Sequence, residues 1–82
     1  MKTVNLIQMK AGQKGTIIQI DGGSGLKRRL AVMGISMEKS ITKMSGFFMR
    51  GPVAIKSGRT VVAVGYGMAS KIWVQLSEKQ KR

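Results

Sequence analysis

The sequence contains neither cysteine nor histidine, and only three of its 82 residues carry a carboxylate side chain. Without cysteine the chain cannot form disulfides, thiolate metal sites or thiol nucleophiles. Without histidine it lacks the usual proton carrier near neutral pH and the commonest transition-metal ligand. Asp21, Glu38 and Glu78 are far apart in sequence, so neither paired-carboxylate catalysis nor an oxygen-ligand metal cage is expected. The composition therefore predicts a protein that is not an enzyme and has no catalytic, cofactor-binding or metal-ligating residues.

Long apolar runs are also missing from the sequence. No stretch approaches the ~18–20 apolar residues that a membrane-spanning helix needs. Near the N-terminus, Gln8, Lys10 and Lys14 interrupt the apolar residues, so no targeting segment is recognised. These features predict a protein that stays in the cytoplasm.

Positive charge, in contrast, is abundant. Fifteen lysine and arginine residues against three acidic ones give a formal net charge of +12. A charge this high indicates an acidic partner, which could be nucleic acid, anionic lipid or an acidic protein face. A basic surface that serves only solubility is the alternative explanation.

One segment has the pattern of a short amphipathic helix, predicted over residues 24–33. Leu26, Leu30 and Met33 fall at positions i, i+4 and i+7, which places them on one narrow apolar stripe. Ser24 is a candidate N-cap, and Gly34 suits the left-handed turn that ends many helices. A helix this short is marginal in water, so we expect its stripe to pack onto the rest of the chain.

The remaining chain shows strand patterns separated by turns. Five short β-rich segments are predicted as strands: residues 16–20, 39–45, 52–56, 60–64 and 72–76. Residues 66–70 suit a second helical turn, and Ser57-Gly58 is the expected hairpin loop. The fold predicted is mostly β, a small five-stranded SH3-like barrel plugged by one helix. Residues 1–82 form a single domain, with a polar tail at 77–82 that we expect to fray.

Four groups of residues occur in an order and spacing that resemble the FeoA family. The groups are Leu6-x-x-Met9-x-x-Gly12-x-x-Gly15-x-Ile17, Arg29-Leu30-x-x-Met33-Gly34-Ile35, Gly51-Pro52-Val53-x-Ile55 and Ala69-x-x-Ile72-x-Val74. The chain departs from the family pattern in two turns. Met37-Glu38 stands where the family commonly has a proline–glycine turn, and no acidic residue precedes Gly51-Pro52.

The resemblance implies a noncatalytic accessory protein of bacterial ferrous iron uptake. It implies an SH3-like barrel and a partner, the cytosolic GTPase-containing part of the FeoB permease. The seven methionines are better suited to core and contact surface than to iron(II), because thioethers prefer softer metals such as copper(I).

Other functions stay open from the sequence. A basic SH3-like barrel could bind nucleic acid, although the few aromatic residues are not interleaved with basic ones. The chain could also be a stand-alone relative of the barrel domain of iron-dependent repressors. Self-association is a further possibility, because a barrel with an apolar loop can pair with itself.

Two candidate partner-binding surfaces emerge from the sequence. On the predicted helix, Lys27, Arg28 and Val32 lie away from the apolar stripe, where they form either a solvated face or a docking face. In the predicted loop after the second strand, aromatic, methionine and arginine side chains occur together, a composition typical of interface cores. These loop residues are Phe47, Phe48, Met49 and Arg50. The alternative for the loop is that both phenylalanines fold back and cap the barrel.

Overall fold

The fold is taken from a computed structural model, which describes residues 2–46 and 51–77. The elements in chain order are β1 (Thr3–Asn5), β2 (Lys14–Ile20), α1 (Ser24–Val32), β3 (Ser40–Gly46), β4 (Val53–Ser57), β5 (Thr60–Val64), α2 (Tyr66–Ala69) and β6 (Ile72–Leu76). The predicted helix and helical turn are both present, at 24–32 and 66–69. Part of the predicted loop, residues 47–50, and most of the predicted tail, residues 78–82, lie outside the described residues.

The six strands form one antiparallel sheet in the order β1-β6-β2-β3-β4-β5. Strand β6 lies between β1 and β2, with Val74 opposite Val4 on one side and Ile17 on the other. The sequence predicted five strands, and β1 is the one it missed. With only three residues, β1 is too short to show the period-two alternation by which strands are recognised.

Every strand contributes side chains to one hydrophobic core. The buried apolar residues are Val4, Leu6, Met9, Ile17, Ile20, Leu30, Ile35, Ile41, Val53, Ile55, Val64, Ala69, Ile72 and Val74. Since strands at opposite ends of the sheet order share this core, the sheet must curl around it rather than lie flat. The hydrogen-bonded ladder stays open between β1 and β5 within the described residues.

Gly15 is required where β2 pairs with the end of β6. A Cβ atom on this residue would lie 2.7 Å from the backbone oxygen of Gln75 and would also clash with the Val74 side chain. Real Cβ atoms do not approach a carbonyl oxygen so closely, so only glycine allows the two strands to pair here.

Helix α1 packs as its apolar stripe predicted. Leu30 is fully buried, and Leu26 and Met33 are half-buried against the core. The helix ends in a Schellman motif, because Gly34 has φ +87° and the N–H of Ile35 donates to the Leu30 carbonyl at 2.9 Å.

The predicted N-cap is wrong by one residue. Gly23, with extended backbone, is the N-cap, and no side chain caps the helix. Ser24 is already the first helical residue, where its hydroxyl no longer has the N-cap geometry.

Glu38 occupies a turn position that favours glycine, where the chain departs from the family pattern. Glu38 has φ +66°, the only positive value among the described non-glycine residues. Its N–H donates to the Ile17 carbonyl at 2.8 Å, which fixes the turn against β2. The left-handed region costs a side-chain-bearing residue about 1–2 kcal/mol, so a glycine would fit here without that strain.

Lys43 is a buried lysine that holds the connection between β1 and β2. It is only 6% exposed, and its Nζ donates to the carbonyl oxygens of Leu6 at 2.9 Å, Ile7 at 3.3 Å and Met9 at 2.6 Å. An ammonium has three N–H donors, so the three carbonyls use all of them. Burial lowers the pKa of Lys43, because desolvation penalises the charged form.

Candidate partner-binding surface

A basic groove of about 960 Å³ opens beside the C-terminal end of α1 and runs over strands β3 to β5. Its described lining combines lysines, apolar side chains, hydroxyls and glycines, and none of these residues is acidic. The lining residues are Lys14, Val32, Met33, Gly34, Lys39, Ser40, Thr42, Met44, Lys56, Ser57, Gly58, Thr60 and Val62. We call this feature the basic groove.

Strand register brings two of the groove lysines together. Thr42 pairs with Lys14 of β2 on one side and with Lys56 of β4 on the other. Neighbouring strands are about 4.8 Å apart, so the two lysines stand about 10 Å apart on one face of the sheet. Both are exposed, and Lys39 adds a third exposed positive charge to the groove. A negatively charged ligand would relieve the repulsion among them.

The groove also presents exposed apolar side chains. Val32, at the end of α1, is 84% exposed, and Met44 of β3 is 44% exposed. A valine this exposed gains about 1.5–3 kcal/mol if a partner buries it fully. Positive charge around an apolar contact point is suited to an acidic protein segment that carries an apolar side chain.

The structure separates the residues predicted to bind a partner. Val32 lines the basic groove, whereas Lys27 and Arg28 are exposed on α1 outside its lining. Phe47, Phe48, Met49 and Arg50 lie outside the described residues.

Sequence reasoning missed the groove lysines and Met44. Lys14 and Lys56 are 42 positions apart, and their proximity follows only from the pairing of both strands with β3. No signal in a single sequence gives that register. The alternation around Lys56, between buried Ile55 and half-buried Ser57, indicates only that this lysine faces away from the core.

Asp21 is engaged by two side chains at the other end of β2. Its carboxylate accepts hydrogen bonds from Gln19 Nε2 at 2.6 Å and from the Trp73 indole Nε1 at 2.9 Å. These two hydrogen bonds lower the pKa of Asp21 below its ordinary value. The bond from Gln19 has the larger effect, followed by the bond from Trp73. The cluster joins the end of β2 to β6 and orients the half-buried Trp73.

The Asp21 carboxylate predicts an acid-sensitive signal from Trp73. Its pKa in the folded protein lies below the ordinary 3.8, so its hydrogen bonds stabilise the fold above that pH. This contribution is lost as pH falls through the folded pKa. We expect the Trp73 indole N–H resonance to stay constant down to about pH 5 and to shift with a midpoint below 3.8.

Two variants make this titration specific. Asp21→Asn should abolish the shift, whereas Glu38→Gln should leave it unchanged because Glu38 makes no contact with Trp73 among the contacts described. A wild-type midpoint at or above 3.8 would contradict the assignment.

Two features are absent from the described residues. No helix within 2–46 and 51–77 is long and apolar enough to span a membrane. Over the same ranges, no group of three or more histidine, cysteine, aspartate or glutamate residues is placed to hold a metal ion.

Comparison with known proteins identifies similar chains. A family model described as "FeoA domain" matches residues 4–76. A protein of Methanocaldococcus jannaschii named "Putative Fe(2+) transport protein A" is 33% identical over 69 residues, covering 84% of this chain and 82% of that protein.

Solved structures share the fold. A crystal structure of an iron uptake regulatory protein (FeoA) superposes with a TM-score of 0.85 at 28% identity, covering 94% of this chain and all of that one. A manganese-dependent transcriptional repressor gives a TM-score of 0.83 at 22% identity, covering 92% of this chain but 42% of the repressor. The second likeness concerns the fold alone. Together they confirm the predicted SH3-like barrel.

Proposed function

The chain belongs to the FeoA family, and from this premise we propose that it is a noncatalytic accessory protein of ferrous iron uptake. It acts by docking onto the cytosolic, GTPase-containing region of the FeoB permease. The iron is the cargo of the permease, and the accessory protein reaches the membrane through this contact from the cytoplasm. The name of the M. jannaschii relative, which refers to Fe(2+) transport, supports the assignment to iron uptake.

The observation that carries the proposal is the basic groove. Lys14, Lys39 and Lys56 supply positive charge without a carboxylate among the described lining residues, and Val32 supplies an exposed apolar contact. Such a surface selects an acidic partner and speeds association through electrostatic attraction, while the apolar contact slows dissociation.

A binding titration with the purified cytosolic region of FeoB tests the proposal. The double variant Lys14→Glu, Lys56→Glu should weaken binding at least tenfold, which corresponds to about 1.4 kcal/mol. The matched control is Lys2→Glu, Lys10→Glu, which changes the net charge equally at exposed lysines outside the groove lining. It should change affinity by about twofold or less, because distant exposed charges are largely screened. No binding of the wild-type protein at moderate salt would refute the proposal.

Nucleic-acid binding is the competing function, and the net charge of +12 favours it. The described aromatic residues argue against it, because neither Tyr66 nor Trp73 lines the basic groove and Trp73 is bonded to Asp21. Binding to a mixed oligonucleotide that weakens log-linearly with rising salt would support this function instead. If the protein does not bind the oligonucleotide even at low salt, nucleic-acid binding is excluded as its function.

A further inference from the structure

Strand β5 is an edge strand of the sheet. It pairs with β4, and no second strand lies beside it in the part of the chain that the structure describes. We propose that an extended acidic segment of the permease's cytosolic region adds to β5 as a further antiparallel or parallel strand. This inference rests on the proposed function and names the contact through which docking occurs.

The hairpin geometry fixes which backbone groups of β5 face the open side. Ser57 pairs directly with Thr60 across the two-residue loop of Gly58 and Arg59. The pair that closes such a loop exchanges both backbone hydrogen bonds, and hydrogen-bonded and non-hydrogen-bonded pairs then alternate along the ladder. The predicted loop, Ser57-Gly58, was therefore shifted by one residue. Gly58, with φ +64°, occupies the first loop position, as a type II′ turn requires.

This alternation leaves the backbone N–H and C=O groups of two β5 residues facing the open edge of the sheet. In Thr60, Val62 and Val64, the backbone N–H and C=O groups form hydrogen bonds with β4. Val61 and Ala63, in the non-hydrogen-bonded pairs with Lys56 and Ala54, turn theirs to the open edge. These outward groups are a template for one more strand.

Natural edge strands normally carry devices that prevent pairing, and β5 lacks three of them: a charge, a proline and a β-bulge. Its residues, Thr60–Val64, include no charge and no proline. Its register with β4 is continuous, without the shifts present in the β2–β6 and β3–β4 ladders. Val61 is 55% exposed. The opposite edge, β1, is only three residues long, a length that discourages pairing.

The surrounding charges select the occupant. Lys56 lies directly opposite Val61, and Arg59 is exposed in the adjoining turn. Thr60 and Val62 of β5 line the basic groove, so a strand added here would lie at the edge of the groove, about 10 Å from the strand that carries Lys56. A second copy of the chain would bring another +12 charge to the same place, which disfavours self-pairing. An acidic extended segment can pair with the edge of β5 and is attracted by the surrounding positive charges, so it is the expected occupant.

Amide hydrogen exchange of the wild-type protein, with and without the purified cytosolic region of FeoB, tests the added strand. The N–H groups of Val61 and Ala63 should exchange rapidly in the free protein and at least tenfold more slowly in the complex. Val62 and Val64 are internal controls, because their N–H groups are already bonded to β4. A complex that forms without protecting Val61 and Ala63 overturns the added strand while leaving the proposed function standing.

A proline variant gives an independent measurement. Ala63→Pro removes one outward N–H without removing a bond to β4, and proline is tolerated on the outer side of edge strands. It should weaken binding at least tenfold, whereas Ala63→Ser, which keeps the N–H, should bind as the wild type does. Equal binding by a folded Ala63→Pro variant also overturns the proposal.

Two further outcomes concern the proposed function and the identity of the segment that pairs with β5. If the wild-type protein does not bind the FeoB region at all, the proposed function fails and the added strand fails with it. If Val61 and Ala63 become protected in the protein alone as its concentration rises, the occupant is a second copy, and the acidic segment is wrong.

Discussion

Replacing Lys43 with methionine is expected to lower the free energy of unfolding by about 3–5 kcal/mol. Methionine preserves much of the buried volume, so the loss comes from the hydrogen bonds rather than from a cavity. Three carbonyl oxygens, those of Leu6, Ile7 and Met9, would each lose the donor that Lys43 Nζ provides. A domain of this size has a total stability of only about 5–10 kcal/mol, so the variant should lose about a third of its stability or more.

Urea denaturation followed by circular dichroism measures this effect. The matched control is Lys14→Met, which removes the same group from an exposed position and should change stability by about 0.5 kcal/mol or less. If Lys43→Met costs less than about 1 kcal/mol, the three carbonyls find other donors and Lys43 is not what fixes the connection.

Replacing Gly15 with alanine is expected to cost about 2–3 kcal/mol. The added Cβ meets the backbone oxygen of Gln75 at 2.7 Å, and a backbone atom cannot move aside as a flexible side chain can. Strands β2 and β6 must therefore separate locally, and the pairs beside Gly15, including Thr16 with Gln75, would lengthen.

A second glycine-to-alanine change serves as the control, with the opposite sign. Gly25 lies inside α1, and a Cβ there would meet nothing within 4 Å. Gly25→Ala should therefore raise stability by about 0.5–1 kcal/mol through helix propensity. Thermal unfolding of both variants compares the two effects, and equal destabilisation by the two would show that the close approach at Gly15 is not the cause.

The elements with a clear local pattern could be predicted from the sequence. The apolar stripe of Leu26, Leu30 and Met33 predicted helix α1 and its packing on the core. Gly34 predicted where the helix ends. The N-cap was placed one residue late because Ser24 is the better capping residue by type, yet Gly23 has the extended backbone of the cap. Strand β1 was missed because its position in the sheet depends on β6, which lies about 70 positions further along the chain.

The candidate site was predictable only where it depends on one element. Val32 was found because an apolar residue on the outer face of a helix is visible in the sequence. The sequence does contain a signal for the burial of Lys43, because this residue lies two positions from the buried Ile41 on the same strand and so faces the core. That a lysine at this position would find three backbone acceptors depends on the path of residues 6–9, which no local pattern describes.

The place of β6 in the sheet has a kinetic consequence. Ile20 pairs with Ile72, and Val4 pairs with Val74. Neither pair can form until the distant strand β6 has been brought to β2 and β1. Contacts between such distant positions are slow to form, because a long loop must close first. During synthesis, β1 and β2 therefore leave the ribosome without the strand that unites them, and the domain gains its cooperativity only when β6 has emerged.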